Sequence, residues 1–324
     1  MRYGLLLFSL FLSSLHSHAA LAAPPPPAGT VETLILFDPT PPPETPESIV
    51  FDRQDNAYVT LSTTGEIRKI APDLTQSSLA VLPIGAPCGA QPTVALGLAL
   101  DLEDRLYVAV SACDPANQGL WRVDTATGAS TLLANAPSAT VLNGIDVYKG
   151  HVYPADTFDG LIWRAPVEGG PLELWADHPL LKRPPGAPFP GPNGLKVFRR
   201  EVYVANSSTG DLLAFPIEAG GGTGEPRVHS NVSPQGCDEF AFDVLGRMYC
   251  TTDPFNTVLR IGTDGSVETL LTADDLLDGP TSVAFGRRGT NRKNLYIINA
   301  AFPMFTTTFR PSLMRLRLDT PGAP

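Results

Sequence analysis

One pattern recurs six times along the chain and dictates its architecture. The stretch Gly191-Pro192-Asn193-Gly194-Leu195-Lys196-Val197 sets a polar and a small residue ahead of an apolar alternation. Variants stand at Glu47-Ser48-Ile49-Val50-Phe51-Asp52, Leu96-Gly97-Leu98-Ala99-Leu100-Asp101, Asn143-Gly144-Ile145-Asp146-Val147, Asp238-Glu239-Phe240-Ala241-Phe242-Asp243 and Thr281-Ser282-Val283-Ala284-Phe285. The key positions follow one another at 49, 47, 50, 45 and 43 residues. A period of that length marks a propeller or solenoid, because each unit has an apolar face that it can bury only against its neighbours.

Each repeat also carries a second strand with a tyrosine, namely Tyr58, Tyr107, Tyr153, Tyr203, Tyr249 and Tyr296. Alternation such as Arg105-Leu106-Tyr107-Val108-Ala109-Val110 suits a half-buried strand. Third strands follow a turn, as at Leu161-Ile162-Trp163-Arg164, and outer strands follow those, as at Thr131-Leu132-Leu133. The sixth repeat lacks an outer strand, while Val31-Glu32-Thr33-Leu34-Ile35-Leu36-Phe37 has no repeat of its own. Letting this segment complete the last blade closes the ring and covers an exposed edge. The expected fold is therefore an all-β six-bladed propeller, one domain over residues 24–324.

Ahead of it, Arg2, the apolar run from Leu5 to Leu12 and Ala20-Leu21-Ala22 stand in the order of a secretory signal over residues 1–23. The run is shorter than the roughly 20 apolar residues of a membrane-spanning helix. A secreted protein is expected, or a periplasmic one in a bacterium, with no membrane span after cleavage. An oxidising route suits two local disulfides, Cys88 with Cys113 and Cys237 with Cys250, although four buried free thiols fit the same positions. Asn206-Ser207-Ser208 and Asn231-Val232-Ser233 are acceptors for N-linked glycans in a eukaryotic host. A net charge of −10 with no basic stripe speaks against nucleic acid as a partner. A monomer acting on a small molecule is the expectation.

The starts of the inner strands converge on a propeller's axis, so Glu47, Leu96, Asn143, Asn193, Asp238 and Thr281 become a ring. Two carboxylates and two amide oxygens, from Glu47, Asn143, Asn193 and Asp238, suit a hard cation such as Ca²⁺, with another divalent ion as the alternative. Asn143-Gly144 and Asn193-Gly194 also read as hairpin turns, in which case the acids are solvated caps. The three histidines beyond the leader, His151, His178 and His229, start no inner strand. Loops on the same face form the pocket wall, with Asp156, Asn206, Asp253 and Phe305 as candidate substrate contacts. The aromatic content of the Ala300 to Arg310 loop points to an apolar or aromatic substrate.

The ordered set Glu47, Asn143, Asn193 in Pro-Asn-Gly-Leu, and Asp238 resembles the SMP-30/gluconolactonase/LRE-like superfamily, from Val31 to Leu318. The resemblance implies Ca²⁺ on those four residues, with Asp238 also acting as base. Two departures stand out. Val141 replaces the arginine of the sugar lactonases, and Leu96 replaces the histidine of the paraoxonase-like enzymes. Leu142-Asn143-Gly144 and the Gly279 to Gly286 segment resemble fungal hetero-Diels-Alderase-like members as well. The leading expectation is a Ca²⁺-dependent lactonase or esterase in which Asp238 or Glu239 assists water. A cyclase of secondary metabolism and a non-catalytic binding propeller are the alternatives.

Overall fold

The computed structural model describes residues 27–89 and 91–324, so the leader expected over 1–23 lies outside the described residues. Six four-stranded antiparallel sheets form an all-β, six-bladed propeller, and the only helical elements among the described residues are three short 3-10 turns. The inner strands are Pro46–Phe51, Val94–Leu100, Leu142–Tyr148, Pro192–Phe198, Phe240–Phe242 and Pro280–Phe285. Blade six is completed by Val31–Leu36, antiparallel to Ser312–Arg317, with Val31 opposite Leu316. The segment without a repeat of its own thus closes the ring.

Blade five departs from the expected inner strand, which begins at Phe240 rather than Asp238. Asp238 and Glu239 nevertheless stay paired with the second strand, since Asp238 N donates to Thr251 O and Thr251 N donates to Glu239 O. Both disulfides are formed, Cys88–Cys113 and Cys237–Cys250, with Cα separations of 5.9 and 5.8 Å. The free-thiol alternative falls.

The core is a ring of interfaces between blades. Tyr58 and Ile67 of blade one pack with Leu98 and Val108 of blade two, and Ile49 and Phe51 close the circle against Tyr296 and Ile298 of blade six. Second strands have a blade on either side, which is why all six residues of Leu106–Ser111 are buried. Full burial of such an apolar side chain contributes about 1.5–3 kcal/mol. The tyrosines have a polar task at their tips. Tyr58, Tyr107 and Tyr249 donate to Asp52, Asp101 and Asp243, whose other carboxylate oxygens accept backbone N–H groups of the turn between the first two strands. These three turns are thereby tied to the core, and the aspartates that close those three repeat copies are structural.

Near the axis, small residues set how closely the inner strands approach. A Cβ on Gly97 would lie 2.2 Å from Asn143 O, and one on Gly144 or Gly194 would lie 2.4 Å from Asn193 O or Asp238 O. These are backbone atoms and cannot swing aside. Gly144→Ala is expected to cost ~1–3 kcal/mol by overpacking, read from urea unfolding. Gly220→Ala, with nothing within 4 Å of the added carbon, is the near-neutral control.

Candidate metal centre and active site

Five inner strands have a pairing irregularity that spans the ring residue: Glu47, Leu96, Asn143, Asn193 and Thr281 each fall within one. Such bulges re-aim a side chain out of the ladder, here at the end of the channel. Asn143 and Asn193 sit inside strands and neither has positive φ. The hairpin-turn reading is therefore excluded. Asn143 Nδ2 donates to Asn193 Oδ1 at 2.6 Å. Asn193 Nδ2 donates to Ser207 Oγ, whose own proton goes to Cys237 O at 2.7 Å. That relay orients the Asn193 amide with its oxygen towards Asn143. Thr281 Oγ1 donates to Glu47 O across the closing seam.

The electrostatics are those of an acid-rich site short of positive charge. Glu47 is buried, and its Oε2 has no hydrogen-bond partner. Burial first, and then the charge of Glu239, push its carboxyl well above the usual range. Burial, followed by the charges of Glu47 and Asp253, does the same to Asp238, although Asp238 and Asn143 keep some access to solvent. Leaving a buried oxygen unpaired costs ~1–3 kcal/mol or more, and a cation accepted by the ring would remove that cost. Among the described residues no three His, Cys, Asp or Glu side chains gather as a metal cluster. The ring instead mixes two carboxylates with two amides, a donor set of hard oxygens.

Beneath the ring the channel is closed by a polar floor. Glu239 Oε1 accepts from Lys196 Nζ at 2.9 Å, while its Oε2 accepts from the hydroxyls of Ser48 and Ser282. Both oxygens are committed. This corrects the expectation that Glu239 handles water. Lys196 also feels Asp146 on blade three. Burial works against the lysine charge, but Glu239 and Asp146 outweigh it and hold its pKa above the ordinary value. Lys196, Asp146, Ser48 and Ser282 were missed as site residues, though spacing offered a signal. Asp146 and Lys196 stand three places after their ring residues, where the other blades carry Val50, Ala99, Ala241 and Ala284. A charged pair in an apolar row of neighbouring blades is a cross-channel contact in the making. On the far side of the floor lies a cavity of about 170 Å³ with mostly apolar walls, lined by Leu98, Ala241 and Val283.

At the ring's own mouth, two expected wall residues take other tasks. Asp156 is fully buried, accepting from the N–H groups of Phe158 and Asp159 and from Trp163 Nε1. Asn206 is equally buried, donating to Leu180 O and accepting from Ser208 N. Both end second strands and hold the turn that follows, so neither is open to substrate, and Asn206 is not open to a glycan. Asn231 is exposed, with its amide on Thr209 O and Asp211 Oδ1. Asp253 lies one residue past its strand, and its Oδ1 is buried without a partner. Burial, then the Asp278 charge, raise its pKa to about 7. Phe305 is 49% exposed on the last loop, which Asp278 Oδ2 ties down through Thr308 Oγ1 and Arg310 N. Phe189 of the proline-rich insertion meets Phe255 at 5.9 Å between centroids. The mouth is thus aromatic above and acidic below.

No family model matches the chain, and no curated protein matches its sequence. Solved structures do match. A gluconolactonase from Xanthomonas campestris is 17% identical over 86% of both chains, with a TM-score of 0.62. A calcium-binding regucalcin from Agrobacterium tumefaciens is 18% identical over 90% of this chain and 96% of its own, TM-score 0.63. A luciferin-regenerating enzyme is 13% identical over 91% and 97%, TM-score 0.67. The structural neighbours are gluconolactonase-, regucalcin- and SMP-30-like six-bladed propellers. At these identities the likeness is one of fold.

Proposed function

We propose that the chain is a metal-assisted hydrolase of lactones or esters with an apolar substituent, its ring of Glu47, Asn143, Asn193 and Asp238 holding Ca²⁺. The observation that carries this reading is the orphaned, buried Oε2 of Glu47 in a ring with Asp238, an arrangement that favours a cation over two protonated acids. Gluconolactonase and calcium-binding regucalcin among the neighbours support it. The two disulfides support a secretory route.

When bound, the cation supplies a Lewis acid that withdraws electrons from the ester carbonyl. Asp238, the carboxylate of the ring with access to solvent, takes a proton from the attacking water. Glu47 is held by its burial, and Asn193 by Ser207, so neither shifts as charge builds on the carbonyl oxygen. The Phe189–Phe255 pair and the Phe305 loop receive the apolar part of the substrate. The ring lacks the histidine of one related group, and Val141 lacks the arginine of another, so a water–carboxylate mechanism on a non-sugar ester suits it best. Hydrolysis of a panel of alkyl and aryl lactones and esters should be lost with EDTA, restored by Ca²⁺, and lost in Asp238→Ala. Absence of turnover on every member would overturn the reading.

A further inference from the structure

Five of the six repeat tyrosines give their hydroxyl proton to a side-chain oxygen, since Tyr58, Tyr107, Tyr203, Tyr249 and Tyr296 donate to Asp52, Asp101, Glu201, Asp243 and Asn291. Tyr153 of blade three is the exception. It is 2% exposed, and its hydroxyl has no hydrogen-bond acceptor among the described residues. The sequence supplies the reason. Asp52, Asp101 and Asp243 stand five places after Glu47, Leu96 and Asp238, and the same step from Asn143 reaches Tyr148. Where the carboxylate is missing lies a cavity of about 330 Å³, lined by Tyr148 and Tyr153 and by the basic residues Lys149, His151, Arg164 and Arg200. Glu218, the acid on its wall, is exposed. His151 stands two places before its tyrosine, as do Arg105 and Arg247, which grip Asp101 and Asp243. Arg164 Nη1 donates to Gly221 O and Nη2 to Glu173, which leaves its Nε buried without a partner. Lys149 Nζ lies over the Tyr148 ring at 5.4 Å and Arg200 Nη2 reaches Ile217 O at 3.4 Å, and neither has an ion pair among the described residues.

We propose that this cavity binds a small organic carboxylate, which gives blade three the group that the chain itself gives to blades one, two and five. Its oxygens accept from the two orphaned donors, the Tyr153 hydroxyl and Arg164 Nε, while Lys149 and Arg200 balance its charge. Buried donors are nearly always paired, and hydrogen bonds to a carboxylate are the strong, charge-assisted kind. Burial holds the Tyr153 hydroxyl above its ordinary pKa, against the pull of the Arg164 charge, so its proton stays in place to be donated. The Tyr148 ring is an apolar wall, which favours an acid with a hydrocarbon part over a bare inorganic ion. Strand Leu142–Tyr148 has Asn143 near one end and Tyr148 at the other. The cavity therefore lies on the face away from the ring, and the assignment stands independently of the hydrolytic reading.

The test is calorimetric titration with acetate, succinate and benzoate, in EDTA so that no cation at the ring can hold the anion. Benzamide, which has the shape of benzoate without its charge, and inorganic phosphate are the comparisons. At least one acid should bind saturably, with an affinity that falls ~10-fold or more in Tyr153→Phe and is unchanged in Tyr107→Phe. Melting temperature without added acid gives a second readout. Tyr107→Phe takes a hydrogen bond from Asp101 and should melt below the wild type, whereas Tyr153→Phe has no such bond to lose and should not. No saturable binding of any of the three acids, an unchanged Kd in Tyr153→Phe, or benzamide binding as tightly as benzoate would overturn the proposal. Phosphate bound in preference to all three acids would overturn the choice of a carboxylate, and a loss of stability in Tyr153→Phe equal to that in Tyr107→Phe would show that the hydroxyl is not free.

Discussion

Glu47→Gln is expected to lower lactone hydrolysis by ~10³-fold, from several kcal/mol of lost carbonyl activation, and to abolish the rise in melting temperature that Ca²⁺ gives the wild type. The effect on stability should change sign with the metal. Without a cation, Glu47, Asp238 and Asp253 have folded-state pKa values raised above their unfolded ones. The folded state then binds more protons at these three groups, so their contribution to stability is fully present below about pH 4 and is lost as pH rises through the folded values, about 7 for Asp253. Chelated wild type should therefore melt ~5 °C higher at pH 5 than at pH 7.5. Glutamine carries no charge to bury, so in EDTA at pH 7.5 the variant should melt above the wild type, and in Ca²⁺ below it. Parallel responses of the two proteins to Ca²⁺ would remove Glu47 from the ligand set.

Lys196→Met is expected to cost ~3–5 kcal/mol, the usual penalty for stripping one partner from a buried ion pair. The lysine and glutamate side chains are only 18% and 7% exposed. Methionine fills most of the space, so the loss reports on the stranded charges of Glu239 and Asp146. Adding Glu239→Gln to it should recover a large part of the loss, because the two residues act as one unit and their effects do not add. Urea titrations of the four proteins measure the coupling directly. Additive losses would mean that the floor is held by Ser48 and Ser282 alone.

The blade plan was legible because a propeller repeats one short rule, a period-2 strand with a turn, so errors in one copy are corrected by the other five. The ring was legible for the same reason: position in the repeat, rather than residue type, brought Glu47, Asn143, Asn193 and Asp238 together. What failed turned on single-residue distinctions. Asp156 and Asn206, expected on the wall, end strands whose turn they brace, whereas Asp253 lies one residue past its strand. Glu239 was read as a second acid at the reaction centre. Its role depends on Lys196 and two serines from other blades, which local pattern alone does not bring together. Pairings that cross the axis join residues as much as 191 positions apart, as Ser48 and Glu239 do.

The strand Val31–Leu36 has a consequence for the order of events during synthesis. It leaves the ribosome before any blade is made, yet its partner Ser312–Arg317 is among the last segments to follow. Blades one to five are assembled from consecutive strands and can form as they emerge, whereas the sixth must wait for Ser312–Arg317. Until then the seam joining Ile49 and Phe51 to Tyr296 and Ile298 stays open, and Thr281 has not yet met Glu47. The ring therefore takes its final form only once Ser312–Arg317 has been made, so a polypeptide interrupted short of Ser312 would carry all the ring residues without the circle that makes them a site.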